Sequence, residues 1–142
     1  QEFTLTDKNL AVGSTVLKSG TDYTVSYANN LNVGTATITV TGKGNYNSTH
    51  SATFEILEAE IVYTSAGYTG EFDGKSHSIS INVSTPGGVT ITYGTTAGSY
   101  PLTTNPTYKD VVTVTIYFKI AKANYTTVED SETITITKRS NL

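Results

Sequence analysis

The sequence predicts an all-β chain built as two tandem β-sandwich modules, residues 1–58 and 59–142. Three observations lead there. Thr makes up about a fifth of the 142 residues and sits among Val, Ile and Tyr, types that suit a pleated, half-buried surface. Apolar and polar residues alternate over short runs, which turns one set toward a core and the other toward water. Turn signals separate the runs at near-regular spacing, the pattern of a sandwich.

Each element follows from that alternation. Tyr23, Val25 and Tyr27 predict one strand, Ala36, Ile38 and Val40 a second, and Ala52, Phe54 and Ile56 a third. After residue 60 the pattern resumes with a short piece at Ile61 and Tyr63. Runs follow at Ile79–Val83 and Val89–Tyr93, then the longest from Val112 to Ile120, and a closing piece at Ile134 and Ile136. Ser19-Gly20-Thr21-Asp22, Gly42-Lys43-Gly44-Asn45, Asp73-Gly74, Pro86-Gly87-Gly88 and Asn105-Pro106 supply turns between them. Helix formers never recur at helical spacing.

An internal echo sets the number of modules. Gly42-Lys43-Gly44-Asn45-Tyr46 precedes Thr53-Phe54-Glu55-Ile56. About 80 residues later, Ala121-Lys122-Ala123-Asn124-Tyr125 precedes Thr133-Ile134-Thr135-Ile136. Similar units at a fixed spacing indicate an array. The alternation ahead of the two Lys-x-Asn-Tyr turns differs in phase by one residue; a β-bulge in one copy would absorb it, and convergence of a biased composition would also explain it. The junction at Leu57-Glu58-Ala59-Glu60 is short and lacks Gly and Pro, which predicts a semi-rigid connection. The first copy has nineteen residues before Gly20, fewer than the second has before Gly88. A missing leading strand is therefore expected in the first module, with an exposed sheet edge.

Composition narrows the function. The net charge is −3, charged residues are 15% of the chain, and basic residues are not clustered, so the footprint of nucleic-acid binding is absent. No run approaches the roughly 20 apolar residues that span a bilayer. Gln1 opens in mid-pattern without a secretory signal, so a mature or trimmed segment is expected. With no Cys, Met or Trp, a disulfide scaffold is excluded. Core volume must come from Val, Ile, Ala, four Phe and ten Tyr. Three Asn-x-Ser/Thr sequons, at Asn47, Asn82 and Asn124, are attributed to the Asn, Ser and Thr content.

The motif Gly20-x-Asp22-Tyr23-x-Val25-x-Tyr27-x-x-Asn30-x-x-x-Gly34-x-Ala36, followed by Gly42-x-Gly44-x-Tyr46 and Phe54-x-Ile56, resembles bacterial immunoglobulin-like repeats. These are the tandem modules of Big and MBG type in surface and secreted proteins of Firmicutes. The second half looks like a sister repeat, through Tyr68, Asp73-Gly74-Lys75-x-His77, Ile91-x-Tyr93-Gly94, Asn105-Pro106-x-Tyr108 and Asn124-Tyr125. It departs from that pattern at Asp110-Val111-Val112, where similar repeats carry Gly. The resemblance implies two immunoglobulin-like modules in an extracellular stalk, spacer or adhesion segment. Their partners would be neighbouring domains of the same polypeptide, and no catalytic residues are implied.

Candidate chemistry is sparse. Asp22 is read as a backbone cap beside a buried Tyr23, against a ligand or metal role. His77 stands among Glu71, Asp73, Lys75 and Ser76, without a nucleophile elbow. His50 is read as a solvated loop residue. Glu71 and Asp73 fall short of the dense acidic loop that Ca²⁺ requires, and two distant His without Cys do not suit zinc. An internal Lys–Asn cross-link needs a buried Lys. Lys43 and Lys122 fall in turns, and Lys119 alternates with core residues. No catalytic residue, metal ligand or cofactor is therefore expected. Tyr93, Tyr100 and Tyr108 flank a Gly- and Thr-rich stretch, and Tyr here also fills core positions. Tyr100 and Tyr108 are the candidates for a second reading, a module that binds a carbohydrate or a host protein through exposed aromatics.

Overall fold

The computed structural model describes residue 4 and residues 10–140. The expectation of an incomplete front concerns residues 1–9, which, apart from residue 4, lie outside the described residues. The chain is all-β, and its Cα packing forms two compact units, Gln1–Glu58 and Ala59–Leu142.

In the first unit a hairpin of β1 (Ala11–Val12) and β2 (Thr15–Val16) precedes an antiparallel sheet of β3 (Tyr23–Ala28), β4 (Gly34–Gly42) and β5 (Thr49–Ile56), in the order β3-β4-β5. The hairpin has no counterpart in the alternation read from the sequence. The three sheet strands fall where that alternation places them. Their register sets Val25 opposite Val40, Tyr27 opposite Ile38, and Ala36 opposite Phe54. Because side chains alternate across a strand, one face collects these apolar residues. The other collects Thr24, Ser26, Thr37, Thr39, Thr41, Ser51 and Thr53. Thr39 and Ser51 share a hydroxyl–hydroxyl bond of 3.0 Å on that face. Leu17, Tyr23 and Ala36 are buried, while Val25, Ile38, Val40 and Phe54 are half-buried.

The second unit has two layers. One is the pair β6 (Val62–Ala66) and β8 (Ser80–Thr85). The other is a sheet in the order β7-β11-β10-β9, from β7 (Tyr68–Glu71), β9 (Thr90–Gly94), β10 (Val112–Ala121) and β11 (Val128–Thr137). Its core is Ile61, Ile79, Tyr93, Ile116, Phe118, Ile120, Ile134 and Ile136, with Tyr63, Ile81 and Val83 of the smaller sheet packed against it. The arrangement is sandwich-like.

Two details depart from the sequence expectations. The closing strand is ten residues, as long as β10. Its first half, Val128-Glu129-Asp130-Ser131-Glu132, looks polar because Asp130 and Glu132 lie on the same face as Phe118 and Ile116. Hydroxyls of β6 satisfy them there: Tyr63 Oη donates to Asp130 at 2.6 Å and Ser65 Oγ to Glu132 at 2.6 Å. The expected bulge is also replaced. Neither β4 nor β10 carries an irregularity; the register shift lies between β6 and β8, where Val62 pairs with Thr85 and Tyr63 with Val83, leaving Ser84 as the extra residue. The phase difference coincides with a change in the turns. The residue of positive φ is Gly44, one place after Lys43, but Asn124, two places after Lys122.

The Tyr63–Asp130 bond gives the second unit a two-sided pH dependence. Its hydrogen bond to Asp130 comes first, then desolvation, in pushing the Tyr63 pKa up to about 12. The Tyr63 hydroxyl and the Ser131 N–H hold Asp130 below its ordinary value. For the carboxylate, the contribution is present above the unfolded-state pKa and is lost as acid protonates the folded form. For the phenol, it is complete below pH 10 and is lost as the pH rises through about 12. Tyr63→Phe is therefore expected to cost about 1 kcal/mol at neutral pH. In urea unfolding across pH 2–12 that gap should narrow at both extremes. A gap independent of pH would show that the bond does not form.

Candidate functional site

The residues singled out by sequence are held in structural contacts. Asp22 Oδ2 accepts the Lys18 N–H at 2.9 Å, and Tyr23 beside it is buried. His77 is pinned by its backbone, which exchanges two 2.8 Å hydrogen bonds with Tyr108. Its ring stacks on Tyr68, with centroids 3.7 Å apart and planes 11° from parallel. Its Nε2 lies 2.9 Å from Asp73 Oδ1. The same oxygen accepts the Lys75 N–H at 2.9 Å, a closed Asx-type turn. The His77 bond, then the Lys75 N–H, holds the Asp73 carboxyl below its usual range.

Glu71 does not converge with Asp73, since its Oε1 accepts Ser140 Oγ at 3.0 Å. Among the described residues no group of three or more His, Cys, Asp or Glu is placed to hold a metal ion. Of the tyrosines, Tyr93 is buried, and desolvation raises its pKa. Tyr108 packs against the core. Tyr100 is half-buried. Desolvation first, and then the charge and hydrogen bond of Glu129, raise its phenol. The candidate pair of tyrosines is thus divided between a core position and a neighbour of Glu129.

The two lysines of the Lys-x-Asn-Tyr turns have matching roles. Lys43 Nζ donates to the Gly20 carbonyl at 2.8 Å, and Lys122 Nζ donates to the Gly87 carbonyl. Each turn closes with the Tyr N–H on its Lys carbonyl, at 3.2 Å in both copies. Each amine thereby ties a turn to the segment that leads into an edge strand of its sheet, β3 or β9. Lys119 lies on the opposite face of β10 from Phe118, 3.9 Å from Glu129 Oε1.

A feature that sequence reasoning missed lies in the first unit. A cleft of about 360 Å³ opens between the β1–β2 hairpin and the apolar face of the sheet. The turn after β4 forms its rim, and that turn is tight for a local reason. Gly42 N donates to Ser48 O at 2.8 Å, and a Cβ on Gly42 would stand 2.8 Å from the Tyr46 carbonyl carbon. Only glycine lets this backbone fold over the end of the strand. The glycine at position 42 and the aromatic four residues on were legible. The hairpin that closes the other wall was not.

No protein-family model, curated protein or solved structure matches the chain. Among the described residues, no helix is long and apolar enough to cross a membrane.

Proposed function

We propose that this chain is a non-catalytic pair of immunoglobulin-like modules. It would serve as a stalk, spacer or adhesion segment in a larger bacterial cell-surface or secreted protein, outside the cell, in line with neighbouring domains of the same polypeptide. The observation that carries this reading is the path of the second unit's two ends. Ala59 bridges Tyr125 in parallel, and β7 pairs with β11 in parallel from Tyr68–Ile134 to Glu71–Thr137. Both pairings have the same offset, so the leading segment runs alongside the closing one in one direction. Tension applied at the two ends then shears these contacts together instead of opening a ladder one bond at a time. The cross-links Tyr63–Asp130 and Ser65–Glu132 lie within the same span. The paired lysine turns support the repeat reading, because one local device is built twice.

Single-molecule pulling tests this. Drawn from its ends, the second unit should release roughly 30 nm in one step. It should resist more force than when pulled through cysteines placed at Thr92 and Lys119, which face each other across β9 and β10. That geometry unzips. Equal or lower resistance end to end would remove the mechanical basis of the proposal.

A further inference from the structure

The cleft of the first unit joins an apolar floor to a polar rim. Leu17, Tyr23 and Val40 form the floor, and Val12 of the hairpin forms one wall. Leu17 and Tyr23 are buried, whereas Val12 remains 55% exposed. Its apolar surface is therefore presented to the opening. Tyr46, Asn47 and His50 stand at the rim. The rim is pre-organised: Lys43 N donates to Asp22 O at 2.8 Å, Lys43 Nζ to Gly20 O at 2.8 Å, and Gly42 N to Ser48 O at 2.8 Å. A ligand meeting such a rim avoids part of the ordering cost of a mobile loop.

The chemistry selects the ligand. An amide, an imidazole and a phenol supply both donors and acceptors. The carboxylate in the lining, Asp22, already accepts the Lys18 N–H. Among the described residues a cation finds no second acidic group in this lining, and an anion meets Asp22 in a chain of net charge −3. A neutral ligand with an apolar patch and several hydroxyls fits both surfaces. The volume lies in the range of small-molecule sites.

We infer that this cleft binds a neutral amphipathic sugar of the N-acetylhexosamine class. The acetamido methyl would rest against Val12 and Val40. The ring face would lie on Tyr46, and the hydroxyls would reach Asn47 and His50. This goes beyond the stalk reading and places ligand contact in the first unit, on residues other than Tyr100 and Tyr108.

The test is a ¹⁵N–¹H titration of the whole chain with N,N′-diacetylchitobiose and, separately, with cellobiose, which lacks the acetamido groups. Saturable shifts confined to the amides of Val12, Tyr46, Asn47, His50 and their neighbours are expected, with cellobiose at least about tenfold weaker. Asn47→Ala combined with His50→Ala should weaken the response by about tenfold or more, the equivalent of one lost hydrogen bond. Both residues are exposed, so the spectrum of the double variant should stay dispersed, which separates lost binding from lost fold. Absence of saturable shifts overturns the inference. So do shifts outside the cleft only, an equal response to cellobiose, or an unweakened folded variant. Each of those results leaves the pulling experiment, and the stalk reading with it, untouched.

Discussion

Phe118→Ala is expected to remove about a quarter or more of the second unit's stability. Phe118 is fully buried at the centre of β10, with Tyr93 opposite it on β9 and Asp130 on β11. It meets the Tyr63 ring edge to face, at 6.0 Å between centroids and 82° between planes. Truncating a buried Phe to Ala costs about 3–5 kcal/mol, because packing is lost and the cavity collapses only in part. A unit of this size has about 4–13 kcal/mol in total. Calorimetry should show its transition lowered by about 15 °C or more. Phe118→Leu should cost less than half as much, since it keeps most of the volume. An alanine variant within about 1 kcal/mol of the parent would mean that the core is not organised around this strand.

Phe118 was also among the most legible residues. Val112, Val114, Ile116, Phe118 and Ile120 alternate without interruption, and a central strand needs no polar exception on its inner face. Legibility failed where a polar group faces inward with a partner distant in sequence. Asp130 and Glu132 break the alternation of β11, and their reasons, Tyr63 and Ser65, stand 67 residues away. A strand pattern read locally cannot register such a bond. The same limit hid β7. Tyr68-Thr69-Gly70-Glu71 has one large apolar residue in four and is a strand because it docks on β11. The β1–β2 hairpin has two-residue strands, too short for any period to show. The cleft depends on that hairpin, so the sequence carried its rim residues without the wall that makes them a site. His50 illustrates the cost. The sequence reads as a solvated loop there; the residue is exposed but belongs to strand β5, and it stands over the apolar face because its register partner is Val40.

Gly94→Ala is expected to be the most damaging exposed-loop-adjacent change of a single methyl group in the second unit. Gly94 is buried at the end of β9, opposite Tyr117. The chain turns back on it at once. Ser99 N donates to Thr96 O at 3.1 Å, and Tyr93 and Leu102 exchange backbone bonds of 2.8 and 2.9 Å. This fold-back lays the Ser99 carbonyl over the Gly94 Cα, where an added Cβ would overlap the carbonyl oxygen and crowd Pro101 Cδ at 3.3 Å. The obstacle is backbone, so no rotamer change relieves it. Overpacking typically costs about 1–3 kcal/mol, and parting the Tyr93–Leu102 pair adds about 1 kcal/mol per bond. Unfolding in urea should therefore reveal a loss of about 3–5 kcal/mol. Gly87→Ala provides the comparison. Nothing lies within 4 Å of a Cβ built there, so that variant should stay within about 0.5 kcal/mol of the parent. Equal stability for the two variants would show that residues 95–102 do not fold back on β9, and the placement of Tyr100 beside Glu129 would fall with it.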